Sequence, residues 1–401
     1  MTKLLEMFNL YKSTYKSIDD IPKEQQIDLD LRSLANQCET DTLDLSNPSF
    51  NFSNKYVKTI INSNLDENTT IKRIINFDIL NFTFCESFEN LFTNFTSLET
   101  IEGINNINTS NVKCLNCAFQ NCTSLKSLNL NKWNVSKVVY MTNLFYNCTS
   151  LKSLNLNKWI TSSVIDINYM FYNCASLKSL DANKFDTSKI TTLSYLFKGC
   201  SSLTSLNISN WNTQSITTMK STFENCTSLI SLDLSKWNTQ NVKYMCYMFY
   251  NCRSLKALNI NNWDVRLLVS AFSMFHNCRM LKELDLSNWK TFAISDIGFL
   301  CYNCKALESL IIGTWDTSNI TNMECAFGYC ESLKYIDLSN WNISNSINMT
   351  NFLFGCYSLK IIDLHNTMNF DVIVSRAISY DYPNLTFMYP EFQYEIEEDI
   401  N

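Results

Sequence analysis

Asn121-Cys122-Thr123-Ser124-Leu125-Lys126-Ser127-Leu128-Asn129-Leu130-Asn131-Lys132-Trp133-Asn134-Val135-Ser136-Lys137-Val138-Val139-Tyr140-Met141-Thr142-Asn143-Leu144-Phe145-Tyr146 runs directly into Asn147-Cys148-Thr149-Ser150-Leu151, and the pattern starts again. Cysteine returns every 26 residues, at Cys122, Cys148, Cys174, Cys200, Cys226, Cys252, Cys278, Cys304, Cys330 and Cys356, and Phe95 takes the same slot 27 residues upstream. A fixed period of this length marks a solenoid, in which each coil cannot bury its own apolar face and must stack on its neighbours.

Each copy divides in two. Leu128 and Leu130 alternate with polar residues, as do Leu232 with Leu234 and Ile336 with Leu338, which predicts a half-buried strand. Val138, Met141, Leu144, Phe145 and Cys148 are spaced three, three, one and three, which predicts one face of a short helical segment. Between them, Trp133-Asn134-Val135-Ser136 supplies Asn and Ser to turn the chain and cap that segment. The expected fold is an α/β solenoid, a leucine-rich-repeat-like stack with a parallel sheet on one side and short helical segments on the other.

Outside the array the pattern weakens. Residues 1–70 read as a helical or irregular cap: Leu4, Leu5, Met7, Phe8 and Tyr11 take helical spacings within 1–35, and Asp20-Ile21-Pro22 opens a second helix. The solenoid occupies residues 71–366 in about eleven coils, first as a degraded copy through Ile71, Ile74, Ile75 and Phe77. Residues 367–401 form a closing cap, with Asp371-Val372-Ile373-Val374 as a strand, Tyr380-Asp381-Tyr382-Pro383 as a loop, and an acidic tail from Glu395 to Asp399.

With 46% apolar residues the chain has the composition of a folded protein, and its scarce Gly (6) and Pro (4) leave turns to Asn, Asp, Ser and Thr. The net charge of −6 with scattered Lys and Arg argues against nucleic acid as a ligand. The first residues, Met1 to Phe8, lack the apolar core of a signal peptide, and no apolar run reaches membrane-spanning length. This favours a cytoplasmic location, with the cell surface or a particle as the alternative, and reduced thiols for the 17 cysteines.

The combination of a leucine strand, an aromatic-Asn/Asp-Thr-Ser turn and a Phe-x-x-Cys-x-Ser-Leu return resembles the BspA-like leucine-rich repeat proteins, specifically the mycoplasma lipoprotein-type 26-residue unit. Thr317-Ser318-Asn319-Ile320-Thr321-Asn322-Met323 is similar to the middle of that unit, and Met248-Phe249-Tyr250-Asn251-Cys252-Arg253-Ser254-Leu255 to its end. The resemblance covers roughly residues 85–366 and implies a binding solenoid, often displayed at cell surfaces. This chain departs from surface members in showing no export signal, lipid-attachment cysteine or wall anchor, and in preferring Trp at the turn, where all eight of its tryptophans lie.

Chemistry-bearing motifs are few. Cys114-Leu115-Asn116-Cys117 has the form of a redox or zinc pair, but the two histidines lie many coils away, and in Cys301-Tyr302-Asn303-Cys304, which has the same form, Cys301 only replaces the repeat's Phe in a chain where cysteine recurs as a packed residue. Neither a cofactor nor a metal is expected, nor a catalytic residue. The Trp ladder reads as core, with exposed indole edges as the minority alternative. Fourteen Asn-x-Ser/Thr triplets follow from an Asn-rich composition and are taken as without function.

The outward positions of the strand remain as the candidate interaction surface: Lys126, Asn129, Lys152, Asn155, Lys178, Asp181, Asp233, Lys256, Asp285, Lys334, Tyr335, Asp337 and Lys360. The rows lose regularity near Ile311, Gly313, Tyr335 and Ile361. The chain therefore reads as a non-enzymatic scaffold that binds a protein or glycan on its sheet face. The alternative is a surface adhesin or particle component exported without a classical signal.

Overall fold

A computed structural model describes residues 16–61, 69–343, 347–367, 371, 373–374 and 385–389. The chain forms two compact units, Met1–Ser215 and Ile216–Asn401.

Both units are coils of parallel β-structure. In the first, Ser127–Asn129 pairs with Ser153–Asn155, and Ser179–Asp181 with Ser205–Asn207, each residue opposite its counterpart 26 positions on. In the second, Glu283–Asp285 pairs with Ser309–Ile311, and Tyr335–Asp337 pairs with Ile361–Asp363, which also pairs with Thr386–Met388. The sequence period is thus the strand register. Leu128, Leu154 and Leu180 point inward, while the serines before them and the Asn or Asp after them are exposed. A second line of single-residue bridges, Cys114 to Tyr140 to Asp166 and Thr218 through Asn348, marks another face of the coils.

Among the described residues the expected helical side is not there. Val138, Met141, Leu144, Phe145 and Cys148 are buried as their spacing implies, but consecutive turns carry them. The Leu144 N–H donates to Met141 O (3.3 Å), Tyr146 to Asn143 (3.0 Å) and Cys148 to Phe145 (3.1 Å). The alternate amides leave the coil: Asn143 N–H reaches Asn168 O (3.0 Å), Phe145 reaches Met170 (2.9 Å) and Asn147 reaches Tyr172 (2.7 Å). A helix would use those donors internally and leave successive coils unlinked; the turns satisfy both demands. They do so by placing Asn143 (φ 57°) and Asn147 (φ 59°) in the left-handed region, which no α-helix of L-residues sustains. Turns that close every three residues bring the same side chains inward as a helix would.

The ends also differ from expectation. Residues 1–15 lie outside the described residues. Beyond them, two 3-10 turns (Ile18–Asp20 and Lys23–Gln25) precede a strand at Gln26–Leu29, paired in parallel with Tyr56–Ile60, so part of the segment read as helical is β. A true helix, Leu31–Asn36, follows Asp30, whose side chain accepts the Ser33 N–H. Its buried Arg32 donates to Thr93 O and lies 5.2 Å from the Phe95 ring centre. That contact accounts for Phe95 in the cysteine slot, because a ring face there receives the guanidinium. At the other end Asp371, Ile373 and Val374 are helical rather than a closing strand, and Thr386–Met388 takes that place. The loop at 380–383 and the acidic tail lie outside the described residues.

Candidate functional site

The ladders inside the coils are structural. Thiols of the cysteine ladder donate to carbonyls of the preceding coil, as Cys148 Sγ to Phe119 O and Cys278 Sγ to Phe249 O, both at 3.1 Å. The cysteines are free, and burial pushes Cys148 and Cys200 up to about 12. A nucleophilic thiol needs the opposite shift. Cys114 and Cys117 are half-buried with thiols also raised by burial, and Cys301 and Cys304 are fully buried. Among the described residues no group of three His, Cys, Asp or Glu is arranged to hold a metal.

The tryptophans are buried, not emergent. Trp133 Nε1 donates to Ile104 O (2.8 Å), Trp211 to Ala182 O (2.8 Å) and Trp289 to Ile260 O (3.1 Å). The reading of exposed indole edges falls, because all eight rings are buried and the polar atoms of these three are spent on the backbone. Thr367, which replaces Trp in the last copy, makes the same bond to Leu338 O at 2.6 Å. The turn threonine clamps successive coils instead of capping a helix: Thr109 Oγ1 donates to Asn134 O (3.1 Å) and accepts the Asn134 N–H (2.7 Å). The triplet asparagines Asn121 and Asn147 belong to an amide ladder, with Asn147 Nδ2 donating to Asn121 Oδ1 (3.0 Å) and Asn173 Nδ2 to Asn147 Oδ1 (2.7 Å).

The histidines differ: His276 is held by ring packing, with its buried Nδ1 making no hydrogen bond among the described residues. His276 lies between the rings of Tyr250 (4.6 Å) and Tyr302 (4.9 Å), and burial lowers its imidazole to about 4. His365 Nδ1 is 2.7 Å from Asp363 Oδ1.

What remains is the strand face. In the first unit Lys126, Asn129, Lys152, Asn155, Lys178 and Asp181 are exposed, beside a groove of about 420 Å³ lined by Ser127, Asn129, Asn131, Ser153, Asn155 and Ser179 among others. In the second unit Asp233, Lys256, Asp285, Lys334, Tyr335 and Lys360 are exposed and Asp337 is half-buried. The Asn/Asp row has a local task as well. Oδ1 of Asn155, Asp181, Asp285 and Asp337 accepts the N–H two residues on, closing the strand with an Asx turn.

The irregular end of the second unit is tightly fitted. Tyr335 donates its hydroxyl to Asp363 Oδ2 (3.1 Å), and burial together with Asp337 and Asp363 pushes the phenol up to about 12. Burial works to raise the Asp363 carboxyl, but bonds from the His365 N–H and imidazole and from Tyr335 outweigh it and hold it below its ordinary value. Gly313 leaves room for the Asp337 carboxylate, since a Cβ there would lie 2.1 Å from Asp337 Oδ2 and the carboxylate would have to move.

A second lysine row, Lys132, Lys158 and Lys184, is also exposed. The strand pattern misses it because it sits in the turn before the aromatic slot; the signal is the recurring pair of lysines six residues apart.

The repeat decides the family. The model of the family described as "Mycoplasma protein of unknown function, DUF285" matches residues 86–181, 175–284 and 269–380, more than half of the chain. The chain belongs to the DUF285 family. No curated protein matches it in sequence. Among solved structures, a leucine-rich cell surface protein of Faecalibacterium prausnitzii is 18% identical, covering 80% of this chain and 89% of its own, with a TM-score of 0.44. A leucine-rich repeat protein of Bacteroides ovatus is 20% identical over 80% of this chain and 84% of its own, with a TM-score of 0.41. This DUF285 chain is a leucine-rich-repeat solenoid, and no helix among its described residues is long and apolar enough to cross a membrane.

Proposed function

We propose that this chain is a non-enzymatic scaffold that docks a macromolecular partner, protein or glycan, on its strand face. The supporting observation is a division of labour between slots. Leu, Cys, Trp, Phe and Thr hold coil to coil through buried contacts, while the strand's outward positions change from copy to copy, as from Ser127 and Ser153 to Glu283 and Tyr335. Solenoids use such repeated surfaces for recognition. In this reading residues 71–366 are the binding body, and residues 1–70 and 367–401 close it.

The test is affinity capture from the native source with three forms of the full chain. Wild type and a Tyr140→Arg/Tyr244→Arg form, altered at exposed tyrosines away from the strands, should retain the same partner. A form carrying Lys126→Glu, Lys152→Glu, Lys256→Glu, Lys334→Glu and Lys360→Glu should lose it. Retention by the strand-face form and loss by the tyrosine form would place docking elsewhere and overturn the reading.

A further inference from the structure

In three successive coils of the first unit the strand carries an exposed lysine at each end: Lys126 and Lys132, Lys152 and Lys158, Lys178 and Lys184. The pairing stops on both sides, where Glu99 and Asn106 come before and Thr204 and Asn210 after. The groove of about 420 Å³ is lined by the residues between these lysines and spans the same three coils. In a chain of net charge −6, six lysines gathered about one groove make a local site for anions. Lys126 is paired with Glu99, and Lys132 Nζ donates to Asn106 Oδ1 (2.9 Å). Of the residues lining the groove, Asp181 alone is acidic, and its Oδ1 accepts the Asn183 N–H (3.2 Å).

The lining also says what kind of anion fits. It is Ser, Asn, Leu and one Asp, with no aromatic ring or arginine. Protein hot spots concentrate on Trp, Tyr and Arg anchors, and single-stranded nucleic acid needs aromatic platforms for its bases. An extended peptide presents like-facing side chains about 6.6 Å apart, out of step with coils spaced about 4.8 Å. Hydroxyls and amides between rows of ammonium groups suit a polymer rich in both hydroxyl and acid groups.

We propose that the strand face of residues 126–184 binds an acidic polysaccharide, its acid groups between the two lysine rows and its hydroxyls on Ser127, Ser153, Asn129 and Asn155. This rests on the strand face being the docking surface and names the partner's chemistry.

The full-length protein is titrated calorimetrically with polygalacturonate and with heparin, and with neutral dextran, polyglutamate and a single-stranded oligonucleotide for comparison. At least one acidic polysaccharide should bind more tightly than all three comparison ligands, and rising salt should weaken it. The Lys152→Glu/Lys158→Glu/Lys178→Glu/Lys184→Glu form should bind about tenfold or more weakly, since reversed charges oppose the ligand. A Lys189→Glu/Lys243→Glu/Lys290→Glu/Lys305→Glu form, altered at exposed lysines outside the strands and the groove lining, should bind as wild type. If charge reversal lowers the melting temperature, the same four lysines changed to Gln supply the comparison. The inference is overturned if neither polysaccharide binds, if polyglutamate or the oligonucleotide binds as tightly, or if both quadruple forms lose binding equally. Failure here with a native partner still captured through the strand face removes the polysaccharide and leaves the docking surface standing.

Discussion

A cysteine that donates to a carbonyl one coil back is held protonated by its surroundings. Cys148 is fully buried, its Sγ lies 3.1 Å from Phe119 O, and burial raises the thiol from its ordinary 9.0 to about 12. Cys122 and Cys174, on either side, are raised for the same reason. Their unfolded-state values stay near the ordinary one, so the stability this represents is whole below pH 9. It is lost as pH climbs from about 9 toward 12, because the unfolded chain then sheds protons that the fold retains. Each thiol contributes a slope of about 1.4 kcal/mol per pH unit in that window. Urea unfolding at pH 8, 9.5 and 11 should show a falling midpoint. Cys148→Ala should be less stable at pH 8 by about 1–2 kcal/mol, for the cavity and the lost bond, yet fall less steeply with pH. Equal slopes in the two proteins would refute the protonated ladder. At this scale the sequence conveyed the packing and missed the bond. Phe95 in the cysteine slot argues for a plain apolar site, and the Arg32 that explains it lies 63 residues away in sequence, where no periodicity points.

The turn that replaces the expected helix is the element on which strand register depends. Inward residues three apart satisfy a helical template and a chain of turns equally, so spacing could not separate the two. Asparagine at Asn143 and Asn147 carried the distinguishing signal, being the non-glycine residue most at ease with positive φ. It was masked because Tyr169, Tyr195 and Phe299 occupy the same left-handed slot as Asn143, at φ 57°, 61° and 55°, where bulky residues are rarely found. Asn147 combines that backbone with two amide bonds, to Asn121 and from Asn173. Asn147→Ala loses both bonds and strains the turn, and should cost about 2–4 kcal/mol. Asn147→Gly loses the bonds but keeps the conformation, as Gly199 does in its own copy at φ 80°, and should cost about 1 kcal/mol less than the alanine. Thermal unfolding of both variants ranks them; an alanine variant as stable as the glycine one would contradict the turn geometry.

Across the molecule the same economy of repeats sets both what was legible and how energy is distributed. Period, register, inward ladders and the outward rows of Lys, Ser and Asn/Asp follow from one copy read ten times. The paired lysines about the groove do not, because they belong to three copies only and depend on the fold bringing turn and strand to one face. Coils that touch only their neighbours should give stability that sums over nearest-neighbour contacts. The second unit offers a direct measurement. Trp289 and Trp315 stack with ring centres 6.2 Å apart and planes within 3°, and Trp315 stacks on Trp341 at 6.3 Å. Trp237 and Trp341 are four coils apart, on the order of 19 Å at the strand spacing. Each Trp→Phe change removes an indole donor from a buried carbonyl or a ring contact, at a cost of about 1–3 kcal/mol. In double-mutant cycles by urea unfolding, Trp289→Phe with Trp315→Phe should depart from additivity by about 0.5 kcal/mol or more, whereas Trp237→Phe with Trp341→Phe should add within about 0.5 kcal/mol. Strong coupling in the distant pair would mean that the coils of this unit act as one block, and stability would not then sum over neighbours as a stacked repeat requires.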